Sequence, residues 1–258
     1  MQTLRYQATS LPPAVGRIVS QIADAPEGAV ISGATTVIQT LYNQQVVPTC
    51  NSLIANRYPF ASSGSDVQLA DFGLVFGYDG LFDKFFTEHL EKQVDTTGPA
   101  WAWRPGSVNL PDGLLDQFQE ARRIRDMFFP PGAKMPDVRF FVTFGNLDAA
   151  AQRAVLQIDG QTLDDKHMKQ PVTWPGPTPG HAMVTFESRY FDPTKAYGGP
   201  WAWFKMIDEK RMGGSDAQQR IVLNLSNRYH GVQVTVEPGR ASPSPFATGA
   251  WRQFGCES

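Results

Sequence analysis

Metal or nucleophilic chemistry in this chain would have to start from four histidines, His89, His167, His181 and His230, and two cysteines, Cys50 and Cys256. No two histidines have the His-x-x-x-His spacing that puts two imidazoles on one helical face, and neither cysteine belongs to a Cys-x-x-Cys pair. A metal site therefore has no local framework. As the nucleophile of a Cys/His hydrolase, Cys50 would need a helix N-terminus or a cation to favour its thiolate. It comes instead late in an apolar helical pattern, directly after Pro48-Thr49, where a thiol serves as a small buried hydrophobe.

The carboxylates Asp164-Asp165, or Asp71 with Asp83, are of the residue type that glycoside hydrolysis uses. Nothing beyond acidity sets them apart from solvated acids. Asp159-Gly160 reads as a turn between strands. The phosphate loop Gly-x-x-x-x-Gly-Lys, the dinucleotide motif Gly-x-Gly-x-x-Gly and the nucleophile elbow Gly-x-Ser-x-Gly are all missing from the sequence. The residues point to no catalysis, no metal, no cofactor and no small-molecule substrate. Trp101, Trp103, Trp174, Trp201, Trp203 and Trp251 could stack on sugar rings, which makes a secreted carbohydrate-binding or polysaccharide-active module the alternative reading. Trp201, Phe204 and Asp208 follow one helical line, however, and Trp203, Met206 and Ile207 another, so core packing is the preferred use.

The elements that must position these residues follow from periodicity. Helical spacing is expected over Leu4 to Ala8, Val15 to Ile22 and Ala29 to Ala55, the last kinked by Pro48. Pro59 ends that run near Arg57, whose cation suits a helix C-terminus. Ser65 and Gln68 have capping-box spacing ahead of Leu69, Phe72 and Phe76, with Gly77 as the left-handed cap. A further helix from Asp79 places Phe82, Phe85, Phe86 and Leu90 on one face. The stretch from Asn56 to Leu90 thus reads as an aromatic packing hub. After a Pro- and Gly-punctuated break at 95–113, the clearest helix runs from Asp112 to Phe129, and Pro130-Pro131-Gly132 ends it.

From Val138 the period becomes two. Val138-Phe144, Ala154-Ile158, Ala182-Phe186, Ile221-Leu225 and Val232-Val236 alternate as strands, with a weaker one between His167 and Trp174 and a hairpin loop over Asn227 to Gly231. A helix from Trp201 to Met212 interrupts them, and a short one is expected between Phe246 and Phe254. The fold class is α+β: an N-terminal helical domain, 1–132, followed by an antiparallel β-sandwich domain, 133–258, with one inserted helix and a C-terminal tail that packs back.

The chain has 258 residues, 20 prolines, 17 phenylalanines and a net charge of -2. That charge leaves no electrostatic footprint for nucleic acid or anionic lipid. No apolar run approaches the roughly 20 residues needed to cross a bilayer.

Several stretches, taken in order, resemble the C-terminal region of the TssM/IcmF proteins of the bacterial type VI secretion system. They are Arg57-Tyr58-Pro59-Phe60, Asp66-Val67, Leu69, Asp71-Phe72, Phe76, Gly80, Phe85-Phe86 and Phe118-Gln119-Glu120-Ala121-Arg122-Arg123-Ile124-Arg125-Asp126 with Phe128-Phe129. Ile158-Asp159-Gly160-Gln161, Trp174-Pro175-Gly176-Pro177, Gly199-Pro200-Trp201-Ala202-Trp203-Phe204, Pro245-Phe246 and Phe254-Gly255-Cys256 continue it. The sequence departs from the pattern at His167-Met168-Lys169, where His-Gly-Pro is expected, so that turn is expected to differ.

The resemblance implies a non-enzymatic, periplasmic part of an inner-membrane-anchored protein, with its anchors upstream and Met1 added for expression. It implies binding to a TssJ-like outer-membrane lipoprotein through the β domain, with TssL-like subunits and further copies of the protein as other partners. In that domain Tyr190, Phe191 and Tyr197 lie among the Pro and Gly residues of Arg189 to Gly199, where loop aromatics either anchor a partner or cover the sheet edge. An oxidising periplasm would favour a Cys50–Cys256 disulfide if the two come within reach. Two separately buried thiols are the alternative.

Overall fold

The computed structural model describes residues 27–108, 110–111, 113–189, 194–239, 243–247 and 249–256. The segments expected to be helical over Leu4 to Ala8 and Val15 to Ile22 lie outside them.

Helix α1 (Glu27–Leu41) passes through a π turn (Tyr42–Val46) into α2 (Val47–Ile54). Pro48 cannot donate to the preceding turn. The π turn absorbs the interruption, and Pro48 sits in the first turn of α2, where its missing N–H costs nothing. The Arg-Tyr-Pro-Phe corner then folds on itself, with the Tyr58 N–H donating to Ser65 O at 3.0 Å and the Val67 N–H to Tyr58 O at 2.8 Å. Arg57 faces Asp71, 3.7 Å away, rather than serving the end of its own helix.

The expected capping box does not form at α3 (Leu69–Phe76). Gln68 is itself the N-cap, with no side-chain cap, and its amide reaches Asp66 O. Gly77 is extended, not left-handed. It is glycine because a Cβ there would lie 2.6 Å from Gly73 O. Helix α4 (Leu81–Phe85) starts two residues later than expected, because Asp79 takes φ 57° and donates its N–H to Asp83. A second π turn (Phe86–Leu90) follows, and then β1 (Val94–Asp95) pairs with β2 (Ala102–Trp103) inside the stretch expected to be irregular. Helix α5 (Leu114–Phe128) buries Leu114, Phe118, Ala121, Ile124 and Phe128. Arg125, the one cation in its stripe, is buried with its charge met by Asp83 and Asp126 and its face over the Tyr78 ring.

Among the described residues, nine antiparallel strands and one helix make the second half: β3 (Val138–Leu147), β4 (Arg153–Ile158), β5 (Gln161–Asp164), β6 (Lys169–Trp174), β7 (His181–Glu187), β8 (Tyr197–Gly198), α6 (Ala202–Lys210), β9 (Arg211–Met212), β10 (Ile221–Ser226) and β11 (Gly231–Pro238). One sheet has the order β6-β3-β11-β10-β9, the other β5-β4-β7-β8. In β4 and β10 burial alternates along the strand, as the period of two requires. Asp159 and Gly160, both at positive φ, turn β4 into β5, and Asn227 turns β10 into β11 by accepting the N–H groups of Tyr229 and His230. Helix α6 lies against β7, β8 and β10, so it touches both sheets. A 3-10 turn (Ala250–Gln253) is the last element among the described residues.

One apolar cluster runs through both halves, from Leu41 to Phe254. At its centre Trp201 contacts Phe72, Phe128, Trp174, Phe204 and Trp251 edge-on or tilted, at 4.9–6.1 Å between centroids. Its indole N–H donates to Val67 O at 2.8 Å.

Candidate functional site

Three separate stretches meet at one open groove of about 890 Å³: the corner Tyr58–Asp66, the β8–α6 segment, and the tail from Gly249 to Gln253. The Tyr58 hydroxyl donates to Asp208 Oδ2 on α6 at 2.6 Å. Arg252 of the tail bonds the same carboxylate and reaches the Tyr58 oxygen at 3.2 Å. Lys205 donates to Asp66 and to Gly198 O, at 2.8 and 2.9 Å. Burial raises the Tyr58 hydroxyl pKa above its ordinary value of 10, with Asp208 adding to the rise and Arg252 opposing it. Tyr58 is therefore a neutral donor, gripped by one residue from each of two other segments.

The Gly198 carbonyl that Lys205 occupies belongs to β8, the last strand of its sheet. An edge capped in this way is protected against pairing with another chain. The cations and acids of this groove answer one another, Lys195 with Glu209 included. The arrangement ties the corner of the helical half to α6 and the tail.

The sequence-derived candidates fall as follows. Cys50 on α2 and Cys256 in the tail are joined by a disulfide, with Cα atoms 5.7 Å apart. Tyr190 and Phe191 lie outside the described residues. Tyr197 departs from the expected loop position. It sits on β8 opposite Ala182, 6% exposed, with Lys195 over its ring, because its side chain closes the edge of the core.

The histidines are dispersed. His89 packs on Phe85, and burial lowers its pKa. His167 Nδ1 lies 2.5 Å from Asp164 Oδ1, and His230 Nε2 lies 2.8 Å from Ser188 Oγ. Among the described residues no group of three His, Cys, Asp or Glu side chains could hold a metal ion.

The candidate carboxylates are each used in structure. Asp71 faces Arg57, Asp83 holds Arg125, Asp164 holds Arg153 and His167, and Asp165 accepts the Ala154 N–H. Trp174, Trp201, Trp203 and Trp251 are fully buried, so they offer no sugar platform.

Sequence reasoning missed Tyr58, Asp208, Arg252 and Lys205 as a set. The helical line through Trp201, Phe204 and Asp208 was the one usable signal, since it puts an acid on the face that carries buried aromatics. Among the described residues no helix is long and apolar enough to cross a membrane.

Residues 33–133 match the family model for the type VI secretion protein IcmF helical domain, and residues 140–240 that for the IcmF C2-like domain. The type VI secretion system component TssM1 of Pseudomonas aeruginosa is 30% identical over 91% of the chain. The chain spans 22% of that relative's length. Among solved structures, the T6SS protein TssM C-terminal domain from EAEC superposes with TM-score 0.72 at 17% identity, covering 87% of this chain and 97% of that one. A chain of a type VI secretion system membrane core complex superposes with TM-score 0.73 at 18% identity, covering 89% of this chain and 49% of that one. Both share the fold.

Proposed function

The chain belongs to the TssM/IcmF family of type VI secretion proteins, and on that premise we propose that it is a structural, non-enzymatic part of the secretion system's membrane complex. In this reading it is the periplasmic C-terminal portion of an inner-membrane protein, and it binds a TssJ-like outer-membrane lipoprotein. TssL-like subunits and further copies of the whole protein complete the assembly. The observation that carries the reading is the order of the two matched family domains on a chain whose fold covers 97% of the TssM C-terminal domain. The Cys50–Cys256 bond supports the location, since disulfides persist in oxidising compartments.

The proposal divides the chain into a helical domain, 1–132, and a β domain, 133–258, whose tail returns to the helices. Partner contact is assigned to the β domain, through the β7–β8 connection that carries Tyr190 and Phe191. Rigid coupling of the domains by the Tyr58–Asp208–Arg252 cluster suits a part that transmits load between membranes.

Parallel pull-downs test this reading. The chain should be retained by the soluble part of a TssJ-like lipoprotein and pass through peptidoglycan and glucan resins. Retention on the polysaccharides alone would replace the proposal with a carbohydrate-binding one.

A further inference from the structure

The hold on the tail changes after Arg252. The Trp251 indole is fully buried among Phe60, Phe128, Trp201 and Phe204, and its N–H donates to Pro245 O. Arg252 is anchored on Asp208 and Tyr58. Beyond it, Phe254 enters a slot formed by Phe60, Phe76 and Phe82, with centroids 6.4, 5.0 and 5.2 Å away. Two side-chain bonds to backbone carbonyls add to this, Gln117 Nε2 to Gly255 O at 2.5 Å and Asn51 Nδ2 to Cys256 O at 3.3 Å. Both are solvent-exposed, and a segment whose polar ties are open to water opens locally at lower cost than one tied in the core. The covalent tie is the disulfide, which closes a loop with a sequence separation of 206.

We propose that Cys50–Cys256 is a thiol–disulfide latch that seats Phe254 in its slot on the helical half, and that reduction releases 254–256 while Trp251 stays docked. Cys50 is fully buried and Cys256 is half-buried, so Cys256 is the sulfur that meets a reaction partner. The oxidant is a disulfide-carrying thiol oxidoreductase. The Cys256 thiolate attacks that disulfide, a mixed disulfide forms, and the oxidoreductase's second sulfur leaves as a thiolate. The Cys50 thiolate then attacks Cys256 Sγ and expels the first oxidoreductase sulfur. Two electrons and two protons pass from the chain to the oxidoreductase, which departs as a dithiol. The latch therefore stays open under reducing conditions and closes under oxidising ones. Its closing after export rests on the proposed periplasmic location, but the latch itself does not.

Native-state alkylation tests it. The whole chain, reduced with a phosphine in native buffer, is exposed to iodoacetamide, and Cys50 labelling is timed against global unfolding. Local release predicts labelling about 100-fold or more faster than global unfolding, with tryptophan fluorescence unchanged, because local opening costs far less than unfolding. Cys256→Ser should label at the same rate without reductant, and the reduced native chain gives the answer if that variant does not fold. Cys50 labelling no faster than unfolding would overturn the latch, as would loss of the buried-tryptophan signal on reduction. Free thiols in chain recovered from the cell envelope, with fast labelling retained in vitro, would overturn the assigned compartment instead.

Discussion

The hydroxyl of Tyr58 and the carboxylate of Asp208, 150 residues apart, meet at 2.6 Å and tie the corner of the helical half to the helix that bridges the two sheets. Arg252 completes the contact from a third stretch of chain. Removing the hydroxyl in Tyr58→Phe leaves the ring in place and takes away the donor, at a cost of about 1 kcal/mol. A double-mutant cycle of Tyr58→Phe with Asp208→Ala, read by urea unfolding, should give a coupling of about 0.5–1.5 kcal/mol. Strict additivity would show that the two residues do not support each other.

Asp159 was read from sequence only as a turn former, and the structure gives its carboxylate a larger part. It is fully buried and accepts the N–H groups of Gly180 at 2.8 Å, His181 at 3.1 Å and Gly176 at 3.4 Å. Three donors converge on one acceptor, so Asp159→Asn, which turns an NH2 toward them, should destabilise by about 1–3 kcal/mol. Urea midpoints of the two proteins check this, and an unchanged midpoint would contradict the role.

Asp164 sets a pH dependence. Arg153 first, and His167 after it, hold its carboxyl down from the ordinary 3.8 to about 2. A depressed folded-state pKa stabilises wherever the carboxylate is charged in both states, here above about pH 4, and that stabilisation is lost as pH falls toward 2. Thermal midpoints should fall more steeply between pH 4 and 2 in the native chain than in Asp164→Asn. Equal slopes would show that Asp164 makes no pH-linked contribution.

The parts of this fold that could be read in advance are those written in local periodicity. Ile221 to Leu225 and Val232 to Val236 alternate because one face of each strand is buried, and Asn227 marks the turn between them. The stripe of α5 was visible for the same reason. The helix starts were less legible. Ser65 lies three residues before Gln68, but the helix takes Gln68 itself as its N-cap, so Ser65 falls in the loop, where its carbonyl accepts the Tyr58 N–H. The groove was the least legible part. Tyr58, Asp208 and Arg252 acquire meaning only when the tail folds back, and no spacing encodes a contact across 150 residues.

The proposed function assigns binding of a TssJ-like lipoprotein to the β7–β8 connection. Titration calorimetry of the purified chain against the soluble lipoprotein from the same system tests it most directly, with Tyr190→Ala/Phe191→Ala as the comparison. Saturable binding is expected, weakened about tenfold or more in the double variant, since losing two aromatic anchors costs about 2 kcal/mol or more. No heat of binding from the correctly folded native chain, confirmed by a silent pull-down, would contradict the account.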